Sequence, residues 1–335
     1  MADRLTVALA MTAEEAGMVL PQDLRERIGR LADLAGDGVP LAGDLTTAAA
    51  REVLTQAEVL VTCWGCPPLT GDVLAGAPRL QVVLHAAGSV KRIAAPAVWD
   101  RGLLVSSAAD ANATPVVDFT LAAVVLAGKQ ALPAARAYRT AFPPHSEREG
   151  VDGRTIGIIG ASRIGRGVIE GLVASGRGHR ILLHDPYVDE AAAREMGAEP
   201  ADLDTLCRES SIVSVHAPEL PETRHLLDAR RLALMADGST LINTARGSLL
   251  DTEALTRECV SGRLNAFLDV TDPEPPPHGH PFYDLPNVLL TPHIAGVQGS
   301  ELRRLGEHVV AELERYVRGE PLRGLVTREE LARLA

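Results

Sequence analysis

Apolar residues in this chain come in short bursts separated by stretches of helical spacing. Residues 5–10 alternate Leu, Val and Leu with smaller or polar positions and predict a first strand. Residues 21–34 place apolar side chains three and four apart and predict an amphipathic helix. The runs 59–63, 80–85 and 103–106 are apolar at nearly every position, which predicts strands covered on both faces. Residues 115–132 predict a long, strongly apolar helix, and the Pro-, Gly- and charge-rich segment 141–153 predicts a loop. A second series follows, with strands predicted at 155–159, 181–184, 212–216, 240–243, 266–269 and 288–291 and helices between them. From 299 to 318 the spacing is helical again, until Gly319-Glu320-Pro321 stops it. Strands alternating with helices require crossovers and therefore parallel pairing. Two such series predict an α/β fold of two doubly wound parallel-sheet domains.

The length of 335 residues suits two domains. An apolar fraction of 46 % excludes a mainly disordered chain. Aromatic residues are only 3 %, so the cores are aliphatic. The net charge of −11 argues against a nucleic-acid or anionic-membrane partner. No uncharged apolar run reaches the ~18–20 residues that a membrane span needs, and no signal peptide is visible at the start. Four cysteines make no disulfide framework, and a reducing cytoplasm is the expected location.

Chemistry enters with the second series. The predicted strand 155–159 runs into Gly160-Ala-Ser-Arg-Ile-Gly165 and then a helix, the context that a dinucleotide fingerprint requires. Free amides at the helix start and the helix dipole favour a pyrophosphate there. Gly160, Ser162, Arg163, Ile164 and Gly165 are the candidate contacts. Gly160 would make the turn, and Gly165 would let the helix pack closely. Ser162 stands where the middle glycine of G-x-G-x-x-G belongs. Its hydroxyl either joins the phosphate contacts, the favoured expectation, or crowds the cofactor. Asp185 ends the next strand, 20 residues after Gly165, where a carboxylate takes the ribose hydroxyls of NAD and repels the 2′-phosphate of NADP.

Three further islands end later strands: Asn243-Thr-Ala-Arg246-Gly247, Leu268-Asp269-Val-Thr-Asp-Pro-Glu274-Pro and Leu290-Thr-Pro-His293-Ile-Ala-Gly296. Carboxyl ends of strands face the ligand crevice of an open α/β sheet. An arginine there grips a carboxylate through two parallel hydrogen bonds, and a histidine exchanges a proton near neutral pH. A glutamate beside the histidine orients its ring. The set suits hydride transfer to a 2-oxo acid, which also needs a proton on the carbonyl oxygen.

With these motifs in this order and spacing, the chain from about residue 60 to 325 resembles the D-isomer-specific 2-hydroxyacid dehydrogenases. The resemblance implies that Arg246 binds the substrate carboxylate and carbonyl, that His293 is the acid/base, and that Glu274 pairs with it. It implies a nicotinamide pocket at Asp269, Thr244, Ala245 and Gly296, and an adenosine-side segment at His216, Ala217 and Pro218. It also implies a Rossmann-type NAD domain, residues 109–297, inserted into a flavodoxin-like substrate domain, residues 1–108 and 298–335. In that arrangement Asn112 lies near the domain cleft, and amides at Gly88 and Ser89 hold the substrate carboxylate, with Trp64 shaping the pocket. Ser89 departs from the usual glycine, and Lys91-Arg92 from the usual Asp-Asn. A homodimer is implied by resemblance alone.

Cys63-Trp-Gly-Cys66 has the spacing of a redox or zinc motif, but Cys207 and Cys259 are isolated and no metal site is expected. His278 and His280 read as solvated loop residues. The expected function is an NAD-dependent oxidoreductase acting on a small 2-oxo or D-2-hydroxy acid. The competing expectation is an NAD(H)-binding regulator on the same fold.

Overall fold

The computed structural model describes residues 4–142, 144, 145 and 149–331. Among these, every strand pair is parallel. The first sheet contains β1 (Thr6–Ala10), β2 (Asp33–Leu34), β3 (Val59–Thr62), β4 (Val82–His85) and β5 (Leu104–Ser107), in the order β2-β1-β3-β4-β5. This is the flavodoxin-like order. The second contains β6 (Thr155–Ile159), β7 (Arg180–His184), β8 (Glu199–Pro200), β9 (Ile212–Val215), β10 (Thr240–Asn243), β11 (Asn265–Leu268) and β12 (Val288–Leu290). Its order, β12-β11-β10-β9-β6-β7-β8, is the Rossmann order with one strand added. The described residues divide into two compact units: 4–113 with 297–331, and Thr114–Gly296 between them.

Strand alternation splits the core of the first unit into two layers. Val7, Leu9, Val59, Val61, Val82 and Leu84 face one side, against Leu24, Ile28, Leu305, Val309 and Leu313 from helices. Ala8, Ala10, Leu60, Val83 and Val105 face the other, against Leu54, Val73, Leu74 and Val98. The helix Arg303–Val317 thus belongs to the first sheet. It is tied to the helix Gln22–Leu31 by a two-pronged Arg303–Asp23 pair and by Arg27–Glu314 at 2.9 Å. Its Glu312 is 1 % exposed and accepts from Ser106 Oγ at 2.5 Å and from the Arg323 and Gly324 amides at 3.0 Å. Burial alone would raise the pKa of Glu312, but these donors and nearby His308 hold it below the ordinary carboxylate value.

In the second unit, the helix Arg163–Ala174 presses against the long helix Ala109–Gly128. A Cβ on Gly167 would lie 2.8 Å from Val117, and one on Gly171 would lie 2.5 Å from Leu121, so two glycines one turn apart permit this approach. The long helix is apolar enough to cross a membrane by length and composition, but Val117, Leu121, Val124 and Ala127 pack into the core around β6.

Four elements differ from the expectation. The long helix begins at Ala109 rather than at Pro115, and the proline sits in its interior because packing on both sides outweighs the lost hydrogen bond. The helix expected over 21–34 ends at Leu31, and β2 follows. β2 and β8 are two-residue edge strands, too short to show periodicity, and β8 tolerates Pro200 because an edge leaves one side unpaired. The expected loop at 141–153 lies partly outside the described residues.

Candidate active site

The phosphate loop is built by close approach. Gly160 has φ 93°, and a Cβ there would meet the Ala217 amide nitrogen at 2.7 Å. A Cβ on Gly165 would lie 2.0 Å from the Gly160 carbonyl oxygen, so neither position admits a side chain. Below the loop runs His216, 3 % exposed, with Nε2 2.8 Å from Ser214 Oγ and Nδ1 without a partner among the described residues. Burial pushes the pKa of His216 down to about 3 and keeps the ring neutral.

Ser162 caps the helix Arg163–Ala174, and its Oγ accepts from the Gly165 amide at 3.4 Å. That use of the oxygen leaves the hydroxyl proton free to donate to a phosphate. The amides of Ser162 and Ile164 donate to no backbone carbonyl among the described residues, as an anion site at a helix start requires. These features fit a dinucleotide. We expect Ser162→Gly to change the Kd for NADH by less than about tenfold, because one neutral hydrogen bond is worth ~0.5–1.5 kcal/mol. A much larger tightening, read by fluorescence titration, would show that the serine crowds the cofactor.

Asp185 follows β7 and is half-buried. One carboxylate oxygen accepts from the Ala161 amide at 2.6 Å and the other from the Tyr187 amide at 2.8 Å. The carboxylate therefore steadies the loop after β6 and sets a negative charge beside it. We expect kcat/KM to be higher with NADH than with NADPH, and Asp185→Ala to narrow the gap. Equal values for the wild-type protein would remove this assignment.

Asn243 shapes the loop after β10. Its Nδ2 donates to the Arg246 carbonyl at 2.9 Å, and its Oδ1 accepts from the Ala245 amide at 3.0 Å. Arg246 is half-buried, with one guanidinium nitrogen donating to the Ala245 carbonyl at 2.6 Å. Thr244 turns its hydroxyl inward to Thr120 at 3.0 Å. At Gly247 a Cβ would lie 2.0 Å from the Thr271 carbonyl carbon, so this glycine brings the Arg246 loop against the loop after β11.

That second loop starts with Asp269, 2 % exposed. Its carboxylate accepts from Thr291 Oγ1 at 2.6 Å and from the Ile294 and Ala295 amides at 2.8 Å, and its carbonyl accepts from the His293 amide at 3.0 Å. Asp269 thus holds the segment carrying His293, which adopts φ 56°, and ends near half-buried Gly296. His293 Nδ1 lies 2.8 Å from Glu274 Oε1, with both side chains about half exposed. Nδ1–H donates to the carboxylate, and Nε2 is left to exchange a proton with a ligand.

The first unit holds the remaining candidates at the carboxyl ends of its strands. In the loop after β4, the Ala86 carbonyl accepts from Cys63 Sγ at 3.1 Å, and the Ala87 carbonyl accepts from the Ala108 amide at 3.1 Å. The Gly88, Ser89 and Val90 amides donate to no carbonyl among the described residues. A Cβ on Gly88 would lie 3.1 Å from Asn112 Nδ2, and Asn112 Oδ1 is 3.4 Å from the Val297 amide. Trp64 is 42 % exposed on the loop after β3. Burial pushes the neighbouring Cys63 and Cys66 thiols up to about 12, where they are poor nucleophiles and ligands. His280 accepts from the Phe282 amide and stacks edge-on against its ring, rather than being merely solvated.

The profile of the D-isomer specific 2-hydroxyacid dehydrogenase NAD-binding domain matches residues 122–295, which carry this loop, Asp185 and the Arg246, Glu274 and His293 set. The chain belongs to that family. A D-3-phosphoglycerate dehydrogenase of Methanocaldococcus jannaschii is 32 % identical over 287 residues, 84 % of this chain and 54 % of that protein. The chain thus spans about half the length of that relative. A glyoxylate reductase of Korarchaeum cryptofilum is 33 % identical over 269 residues, 78 % of this chain and 80 % of that protein. A D-lactate dehydrogenase of Aquifex aeolicus, solved with NAD and lactic acid, is 25 % identical with a TM-score of 0.68, covering 94 % of this chain and 96 % of that one. NAD is the cofactor that the family domain binds.

Proposed function

We propose that this protein is an NAD-dependent oxidoreductase that interconverts a small 2-oxo acid and its D-2-hydroxy acid. The observation that carries this reading is the Glu274–His293 pair at 2.8 Å, on a loop whose backbone Asp269 holds. When bound, NADH supplies the hydride. Arg246 grips the substrate carboxylate and polarises the carbonyl through its planar fork. His293 delivers a proton from Nε2 to the carbonyl oxygen, and Glu274 fixes the ring and balances the imidazolium charge. In the reverse direction His293 takes the hydroxyl proton. Gly160, Ser162, Arg163, Ile164 and Gly165 take the pyrophosphate, Asp185 the ribose, and His216, Ala217 and Pro218 flank the adenosine side. Thr244, Ala245 and Gly296 line the nicotinamide side. In the first unit, the Gly88 and Ser89 amides, which donate to no carbonyl among the described residues, suit a carboxylate.

The four cysteines are free thiols, which suits a reducing cytoplasm. A homodimer through the cofactor unit completes the reading. Its support is the exposed Tyr138–Phe142 pair, ring centroids 5.8 Å apart, beside a cavity of about 1030 Å³. Sedimentation equilibrium tests that part. Turnover of glyoxylate, pyruvate and hydroxypyruvate with NADH tests the chemistry. Tight NADH binding without oxidation of NADH by any of the three would favour a regulator instead.

A further inference from the structure

We infer that Thr291 is a positioning residue for the proton-transferring histidine, fixing the backbone of His293 through the Asp269 carboxylate. This rests on the function proposed above.

Thr291 follows β12 directly, two residues before His293. Its amide donates to the Leu268 carbonyl at 2.9 Å, so its own backbone is anchored to neighbouring β11. Its hydroxyl donates to Asp269 Oδ1 at 2.6 Å. The same oxygen accepts from the Ile294 amide at 2.8 Å, and Oδ2 accepts from the Ala295 amide at 2.8 Å. The Asp269 carbonyl accepts from the His293 amide at 3.0 Å. One residue, 2 % exposed, thus holds three consecutive N–H groups.

The two peptide planes flanking a residue set its φ and ψ. Around His293 both planes are held by Asp269. Its carbonyl takes the N–H of the plane before, and Oδ1 takes the N–H of the plane after. The outcome is φ 56°, a left-handed backbone that a residue with a Cβ disfavours. His293 stays there because Oδ1 stays in place. Two of the three donors to the carboxylate belong to the segment being held and move with it. The Thr291 hydroxyl is the donor that is fixed to the sheet. Without it, the carboxylate is free to turn about its Cβ–Cγ bond together with the Ile294 and Ala295 amides. The turn at His293 then relaxes, and the imidazole leaves its place beside Glu274 Oε1, 2.8 Å away. Thr291 acts on the proton transfer without touching the ligand.

The test is steady-state kinetics with NADH and whichever of glyoxylate, pyruvate and hydroxypyruvate the wild-type protein reduces best. Thr291→Val keeps the side-chain shape and removes the hydroxyl. We expect kcat to fall ~10–100-fold, the scale of a lost hydrogen bond to a charged group and of a misplaced catalytic group. The Kd for NADH should change by less than about threefold, because the phosphate loop and Asp185 lie on other strands. Thr291→Ser keeps the hydroxyl and should hold kcat within about threefold of wild type. In a His293→Ala background, Thr291→Val should lower the residual rate by less than about twofold, because residues that act as a unit are not additive. A purely structural role would lower the rate equally in both backgrounds. If Thr291→Val does not fold, Thr291→Ala removes the same hydroxyl with less bulk and carries the test. Unchanged kcat in the folded Val or Ala variant, a loss that Ser does not restore, or an equal loss in the His293→Ala background overturns the inference and leaves the function reading in place. A wild-type protein that reduces none of the three acids overturns both.

Discussion

Replacing His293 by alanine lowers the rate of 2-oxo acid reduction by ~10²–10⁴-fold, the usual cost of losing a general acid. NADH still binds, because the phosphate loop and Asp185 lie on other strands. His293 adopts φ 56°, where a Cβ-bearing residue other than Asn or Asp is strained. His293→Asn is therefore the better-folded companion, suited to the left-handed backbone and unable to supply the proton. Both variants should lose activity together. If Asn restored the rate, the defect would lie in the backbone rather than the acid, and near-normal turnover in both would mean that another group delivers the proton.

Arg246→Lys also causes a large loss, with KM for the 2-oxo acid rising and kcat falling. Lysine keeps the charge but has no planar fork to match a carboxylate. The backbone around the residue does not depend on its side chain. Asn243 clamps it from both sides, and Gly247 docks it on Thr271. A loss in this variant thus reads the guanidinium itself. Normal kinetics would show that Arg246 does not hold the substrate.

Most of this architecture was legible in the sequence because parallel strands covered on both faces are nearly continuous apolar runs, and 155–159 and 240–243 coincide with β6 and β10. The candidate site was legible where the proposed chemistry asks for a residue type at a strand end, as at Asp185, Arg246 and His293. The supporting contacts were not. Asn243 reads as an ordinary polar residue, yet it shapes the Arg246 loop. Asp269 reads as a ligand contact, yet its oxygens are occupied by Thr291, Ile294 and Ala295. Thr291 reads as the last residue of a strand. Such roles depend on which distant segment arrives opposite a side chain, and one chain's pattern of apolar positions does not record that. Gly247 was the nearest to a visible signal, since a glycine beside a functional arginine marks a close approach.

The placement of the helix Arg303–Val317 has a consequence in time. The first sheet gains Leu305, Val309 and Leu313 only after the intervening unit, Thr114–Gly296, has been made. At ~5–20 residues per second, a ribosome needs roughly 10–40 s to cross that interval. Until then that face of the aliphatic sheet is only partly covered, by Leu24 and Ile28, whereas by residue 296 the nucleotide-binding unit has every residue of its own core. The middle of the chain therefore becomes protease-resistant before its beginning does. Pulse proteolysis of stalled nascent chains ending near residue 300 should release the first unit as fragments and spare the second.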